Sequence, residues 1–86
     1  MTDFVQNELL VVQEVNKHNG DKTIIRVVIF GKTGTPILEK RLFYRSEGGE
    51  HKPGKRIGFN YEDFEVLIEN QDKISNALAQ KTAAVR

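Results

Sequence analysis

Three aromatic residues are interleaved with cations along this chain: Phe30 precedes Lys32, and Phe43 and Tyr44 sit among Lys40, Arg41 and Arg45. Flat rings accept the faces of unpaired bases, each stack being worth roughly 1–3 kcal/mol, while cations beside them neutralise phosphodiesters. Duplex DNA offers no exposed base faces, so the combination suits single-stranded nucleic acid. Lys52, Lys55 and Arg56 form a second basic cluster around Pro53 and Gly54. Arg26 interrupts an otherwise apolar strand face. The plain alternative is that a ring such as Phe43 belongs to the core of a small sheet and the cations merely face solvent.

The charge distribution favours the first reading. The chain carries +1 overall, but residues 30–59 hold seven Lys/Arg against three Glu, whereas the flanking thirds are net acidic. A polyanion is therefore to be sought in the middle of the chain. Catalysis has little to build on. His18 and His51 lie in turn-like stretches without metal-ligand spacing, and there is no cysteine. Glu62, Asp63, Glu65 and Glu69 suit the dipole of a helix start and do not converge on one atom. Gly49 to Lys55 has the glycine and lysine spacing of a phosphate loop, but Arg56 stands where Ser or Thr would hold magnesium. Gly31-Lys32-Thr33-Gly34 has a GXXG spacing but joins two strands, where the RNA-binding clamp joins helices. No enzyme, metal or cofactor is expected.

The elements that must position these residues follow from periodicity. Residues 8–15 form a β-rich run, and His18-Asn19-Gly20-Asp21 after it contains Asn-Gly, whose two residues tolerate positive φ in a hairpin turn. Residues 23–30 make a second strand, with Ile25, Val27 and Ile29 on a wholly apolar face and Ile24, Arg26, Val28 and Phe30 on a half-wet one. Residues 37–45 make a third strand of imperfect alternation, which a bulge would reconcile. After a glycine-rich loop, residues 56–59 suffice for a short fourth strand. Asn60 then caps a helix over about 61–80, in which Phe64, Leu67, Ile68, Ile74 and Leu78 form a stripe. Gln71 interrupts it, so a bend is expected at residues 70–72.

Eighty-six residues make one domain, here 8–80 with a short arm (1–7) and a frayed tail (81–86). Such a chain buries only about 60% of its unfolded surface. Without disulfides or zinc, pairing with a second copy is the remaining common remedy. The arm carries Asp3 and no long apolar run, unlike a signal peptide, and no stretch approaches a membrane span. A soluble, intracellular protein is expected, in cytoplasm or nucleoid if bacterial or phage and in the nucleus if eukaryotic.

The segment Lys52 to Leu78, KPGKRIGFNYEDFEVLIENQDKISNAL, resembles the C-terminal part of the transcriptional positive cofactor four family. The shared features are Lys-Pro-Gly followed by basic residues, a short strand, Asn as helix cap, an aromatic in the first helical turn and an Ile-rich second half. Arg41, Tyr44 and the acidic glycine-containing loop after them match as well. The likeness covers roughly residues 8–78 and extends to the short bacterial and phage members. It implies an α+β fold, a four-stranded curved antiparallel sheet followed by a C-terminal helix, in a homodimer whose ribbons bind single-stranded or melted DNA without sequence specificity. Family roles are transcription coactivation and, in some members, replication, repair or recombination, with transcription or replication proteins as partners. Carried onto this chain, the groove comprises Phe30, Lys32, Arg41, Tyr44, Lys52, Lys55 and Arg56, to which the sheet pattern adds Arg26, Lys40, Phe43 and Arg45. The helix stripe supplies the dimer contact. The chain departs from the family in having Tyr44 where Trp is frequent, in lacking a glycine after Arg56, and in lacking a Ser-rich regulatory region. An RNA-binding accessory protein and a protein–protein adaptor dimerising through its helix are the alternatives left open.

Overall fold

A computed structural model of the chain describes residues 5–30 and 34–80. Four strands, β1 (Val5–Asn16), β2 (Lys22–Phe30), β3 (Pro36–Arg45) and β4 (His51–Arg56), form one antiparallel sheet in the order β1-β2-β3-β4. Two helices follow, α1 (Tyr61–Glu69) and α2 (Gln71–Leu78). The architecture is α+β. The N-terminal arm up to residue 4, Lys32 with its two neighbours, and the 81–86 tail lie outside the described residues. Among the described residues no helix is long and apolar enough to cross a membrane.

Both outer hairpins turn in the same way. Gly20 N donates to Lys17 O and Lys17 N to Asp21 O; Gly49 N donates to Ser46 O and Ser46 N to Glu50 O. In each turn the glycine alone takes a positive φ, 97° at Gly20 and 90° at Gly49. Asn19 does not share it: its side-chain oxygen instead accepts from Asp21 N at 2.9 Å. The expected two-residue turn is therefore a wider one, in which Asn acts through its side chain.

Pairing explains the strands' burial. β2 is central and buried from Ile24 to Ile29. On one face Val27 packs with Ile74 and Ala77 of α2, joined by Leu9, Leu10, Val12, Leu38 and Leu67. β2 and β3 pair in unbroken register, so no bulge resolves the mixed alternation of β3. Its polar residues are instead neutralised on both faces. The irregularities lie elsewhere: three register shifts in β1–β2 and one between Arg41 and Phe43 in β3–β4.

The fourth strand comes earlier than expected, at His51–Arg56 in place of 56–59. Pro53 and Gly54 read as loop residues, but β4 is an edge strand, where a proline needs no ladder donor and an extra residue is accommodated as a bulge. The helix expected over 61–80 is divided in two at Asn70, within the stretch where a bend is expected. Asn70 ends α1, its backbone N–H shared between Val66 O and Leu67 O, and its side-chain Nδ2 also donates to Val66 O at 2.8 Å. That amide competes for the carbonyls a continuous helix would use. The capping box at the start of α1 is complete: Asn60 Oδ1 accepts from Asp63 N, and Asp63 Oδ2 accepts from Asn60 N.

The break divides the apolar stripe. Ile74 and Leu67 serve the chain's own core and are not exposed dimer contacts. Phe64 and Ile68 remain more than half exposed, at 56% and 51%, beside Tyr61, while Leu78 is partly exposed. Residues 61, 64 and 68 share one side of α1 by helical spacing.

Candidate nucleic-acid interface

Register assigns each candidate to a face. Directly paired residues of neighbouring strands share a face, so Leu38, Lys40, Leu42 and Tyr44 lie with Val27 on the helix side. Arg26, Glu39, Arg41 and Phe43 lie on the opposite side, together with Arg56, which pairs with Arg41. Phe30 shares the parity of Arg26 along β2. The expectation that Phe30 and Tyr44 line one side is not met: the antiparallel pairing puts them on opposite faces.

The face opposite the helices is closed over by its own charged and aromatic side chains. Arg26 is 5% exposed and Glu39 3%. Arg26 Nε donates to Glu39 Oε2 at 2.8 Å, Arg26 Nη1 to Glu8 Oε2 at 2.9 Å, and Arg56 Nε to Glu39 Oε1 at 2.8 Å. Arg41 Nε stands 3.4 Å from the same Glu39 oxygen. Three guanidinium–ring contacts complete the cluster: Arg26 over Phe43 at 4.9 Å, and Arg41 and Arg56 over Phe30 at 5.7 and 5.2 Å. Arg41 is opposite Ile24, six residues from Phe30 along β2, a separation of roughly 20 Å in a flat strand. The two side chains meet because the strands bend toward this face. Arg41 and Arg56, directly cross-strand, would repel each other; Glu39 between them removes that cost. Arg26 is accordingly an internal ion-pair residue and offers nothing to solvent.

Burial pushes the Glu39 carboxyl upward, but the hydrogen bonds from Arg56 and Arg26 and the charge of Arg41 outweigh it and hold the group below the usual carboxylate range. Asp63 behaves alike: burial raises it, and the Lys40 ammonium and the Asn60 N–H more than reverse this. Lys40, expected to face a ligand, is thus held on the helix side by Asp63, tying β3 to α1. Both carboxyls are depressed on folding, so they stabilise the fold fully above about pH 4.5 and the contribution is lost as pH falls through their lowered folded values. Asp63→Asn is expected to flatten the acid limb of stability as pH falls below the ordinary carboxylate value of 3.8, read as the thermal midpoint in buffers of stepped acidity. An unaltered limb would show that the Lys40–Asp63 pair contributes nothing.

The accessible candidates gather at the β3–β4 end of the sheet. Tyr44 is 44% exposed and pairs with Lys52. Its ring lies over Gly54, where a Cβ would come within 3.3 Å of Tyr44 Cδ2 and 3.1 Å of Leu42 O. Glycine at this position is what lets the ring come this close to the edge strand. Lys52, Lys55 and Arg56 are exposed along β4. Arg45 is exposed at the end of β3, its backbone N–H bonded to Asp21 and its Cδ against Gly20. No protein-family model, curated protein or solved structure matches this chain.

Glu39 was missed among the candidates for the site. Its signal in the sequence was weak but present: an acid on the parity of Arg41 in a strand whose other charges are all basic.

Proposed function

We propose that this chain is a non-sequence-specific single-stranded DNA-binding protein that works as a homodimer on unpaired or melted DNA, in transcription and in related steps of replication or recombination. The observation that supports it most is the half-exposed Tyr44 ring against Gly54, sharing a face with Lys52, while Arg45 and Arg56 reach the same β3–β4 edge from the opposite face and Lys55 is exposed between them along β4. A ring seated on backbone offers its free face to a base, and cations along an edge strand follow a phosphodiester chain. The resemblance of Lys52 to Leu78 to the positive cofactor four family agrees with this reading. So does the exposed apolar side of α1, which a second copy would cover through Phe64 and Ile68. In this reading Tyr44, Lys52, Lys55, Arg56 and Arg45 touch the strand, while Arg26 and Lys40 only shape the sheet.

Fluorescent oligothymidine titrated at several salt concentrations tests the proposal. Tyr44→Ala is expected to weaken binding by about 1–3 kcal/mol with little change of salt slope, because it removes a stack. Lys55→Ala is expected to reduce the slope of log affinity against log salt by about 0.7, the share of one phosphate contact on a single strand. Equal affinity for a duplex of the same length would overturn the single-strand reading.

A further inference from the structure

The cluster around Glu39 contains three guanidinium groups, of Arg26, Arg41 and Arg56, against two carboxylates, of Glu8 and Glu39. Its members differ sharply in access. The Arg26 side chain is 6% exposed and Arg41 12%, whereas Arg56 is 51% exposed although it donates to a carboxylate that is itself 2% exposed. Glu39 is thus a buried anion that reaches out to a surface cation. Glu39 takes the Nε–H of Arg56, whose side chain nevertheless stays half exposed. Arg41 makes a longer contact of 3.4 Å, and its Nε has no hydrogen-bond partner among the described residues. The inner guanidinium is the best satisfied, held by both carboxylates, although its Nη2 also has no partner among the described residues.

An anion arriving at Arg56 therefore meets charge that Glu39 has already partly cancelled. The same carboxylate holds Arg41 and Arg56 above the Phe30 ring, which fixes where that residual charge points. We infer that Glu39 is a built-in counter-anion that competes with phosphodiester oxygens for the accessible Arg56 and so limits the affinity of the site. The inference rests on the single-strand reading above and adds to it a residue that restrains binding. A protein that must release DNA as strands re-pair benefits from such a restraint, since each fully freed guanidinium would add a salt-sensitive contact.

The test is Glu39→Gln titrated with fluorescent oligothymidine across a salt series. Affinity is expected to rise roughly five-fold, the upper range for one exposed charge pair, and the salt slope to steepen by about 0.7, one further phosphate contact. Loss of fold cannot imitate a gain in affinity. Unchanged or weaker binding by a variant whose circular dichroism matches wild type would overturn the inference. Should the glutamine variant fail to fold, Glu39→Asp keeps the buried charge beside Arg26 but withdraws it from the edge. It is expected to bind more tightly than wild type as well, and wild-type affinity there would count equally against the idea. Inorganic tripolyphosphate, titrated in parallel, separates the two readings. If wild type ignores oligothymidine, the function proposed above fails; tighter binding of tripolyphosphate by Glu39→Gln still supports the counter-anion, and equal binding removes it.

Discussion

Arg26→Ala is expected to lower the free energy of unfolding by about 3 kcal/mol and to leave the salt slope of oligonucleotide binding unchanged. The guanidinium is almost wholly enclosed, bonded to Glu39 and Glu8 and stacked on Phe43. Removing one partner of a buried ion pair costs about 3–5 kcal/mol, because the remaining charge is left without compensation. Here the lower end applies, since Glu39 keeps Arg56 and Arg41. Replacement by Met, which fills the space without a charge, is expected to cost less than Ala, because desolvating the cluster is itself unfavourable. Urea denaturation measures the first quantity and the salt series the second. A reduced slope in a folded Arg26→Ala variant would mean that this residue reaches a phosphate, and the assignment of the closed face to structure would be wrong.

Ile74→Ala is expected to cost about 3 kcal/mol of stability, within the 2–5 kcal/mol range for deleting most of a buried aliphatic side chain. Ile74 is buried in one cluster with Val27 of β2 and so ties α2 to the sheet. Phe64→Ala on the exposed side of α1 is expected to do the reverse. It should change the stability of the isolated chain by less than about 0.5 kcal/mol while weakening the self-association proposed above. Denaturation at several protein concentrations separates the two effects, because a dimer's apparent stability depends on concentration and a monomer's does not. If Ile74→Ala abolished pairing without destabilising the chain, α2 would be docked on a partner and not on its own sheet.

Much of the architecture could be read from local patterns. The alternation over residues 23–30 marked a strand with one core face and the glycine-marked turns set the hairpins, although the face expected to be half-wet is buried as well at Ile24, Arg26 and Val28. The Asn60–Asp63 pair predicted a helix start that the capping box confirms. Those features depend on neighbours in the chain, whose spacing a sequence shows directly. Where the reading slipped, the deciding contact was distant. Pro53 and Gly54 argued for a loop until β3 supplied a partner and solvent supplied the free edge that a proline tolerates. Gln71 marked the break in the helix stripe, but periodicity does not show which of its apolar residues meet their own sheet and which stay exposed.

The amino-acid sequence by itself determined that rings and cations concentrate between Phe30 and Arg56, that a sheet would carry them, and that a helix would follow. Composition and period suffice for that, since alternation and charge density are properties of the chain. Only the tertiary structure decided which of those groups are accessible. Pairing of β2, β3 and β4 enclosed Arg26 with Glu39, drew Lys40 to Asp63, and left Tyr44 on Gly54 at an open edge. A buried cation recruits the nearest carboxylate across strands because an unpaired charge is intolerable away from water, and that nearest carboxylate is known only once the strands are in register.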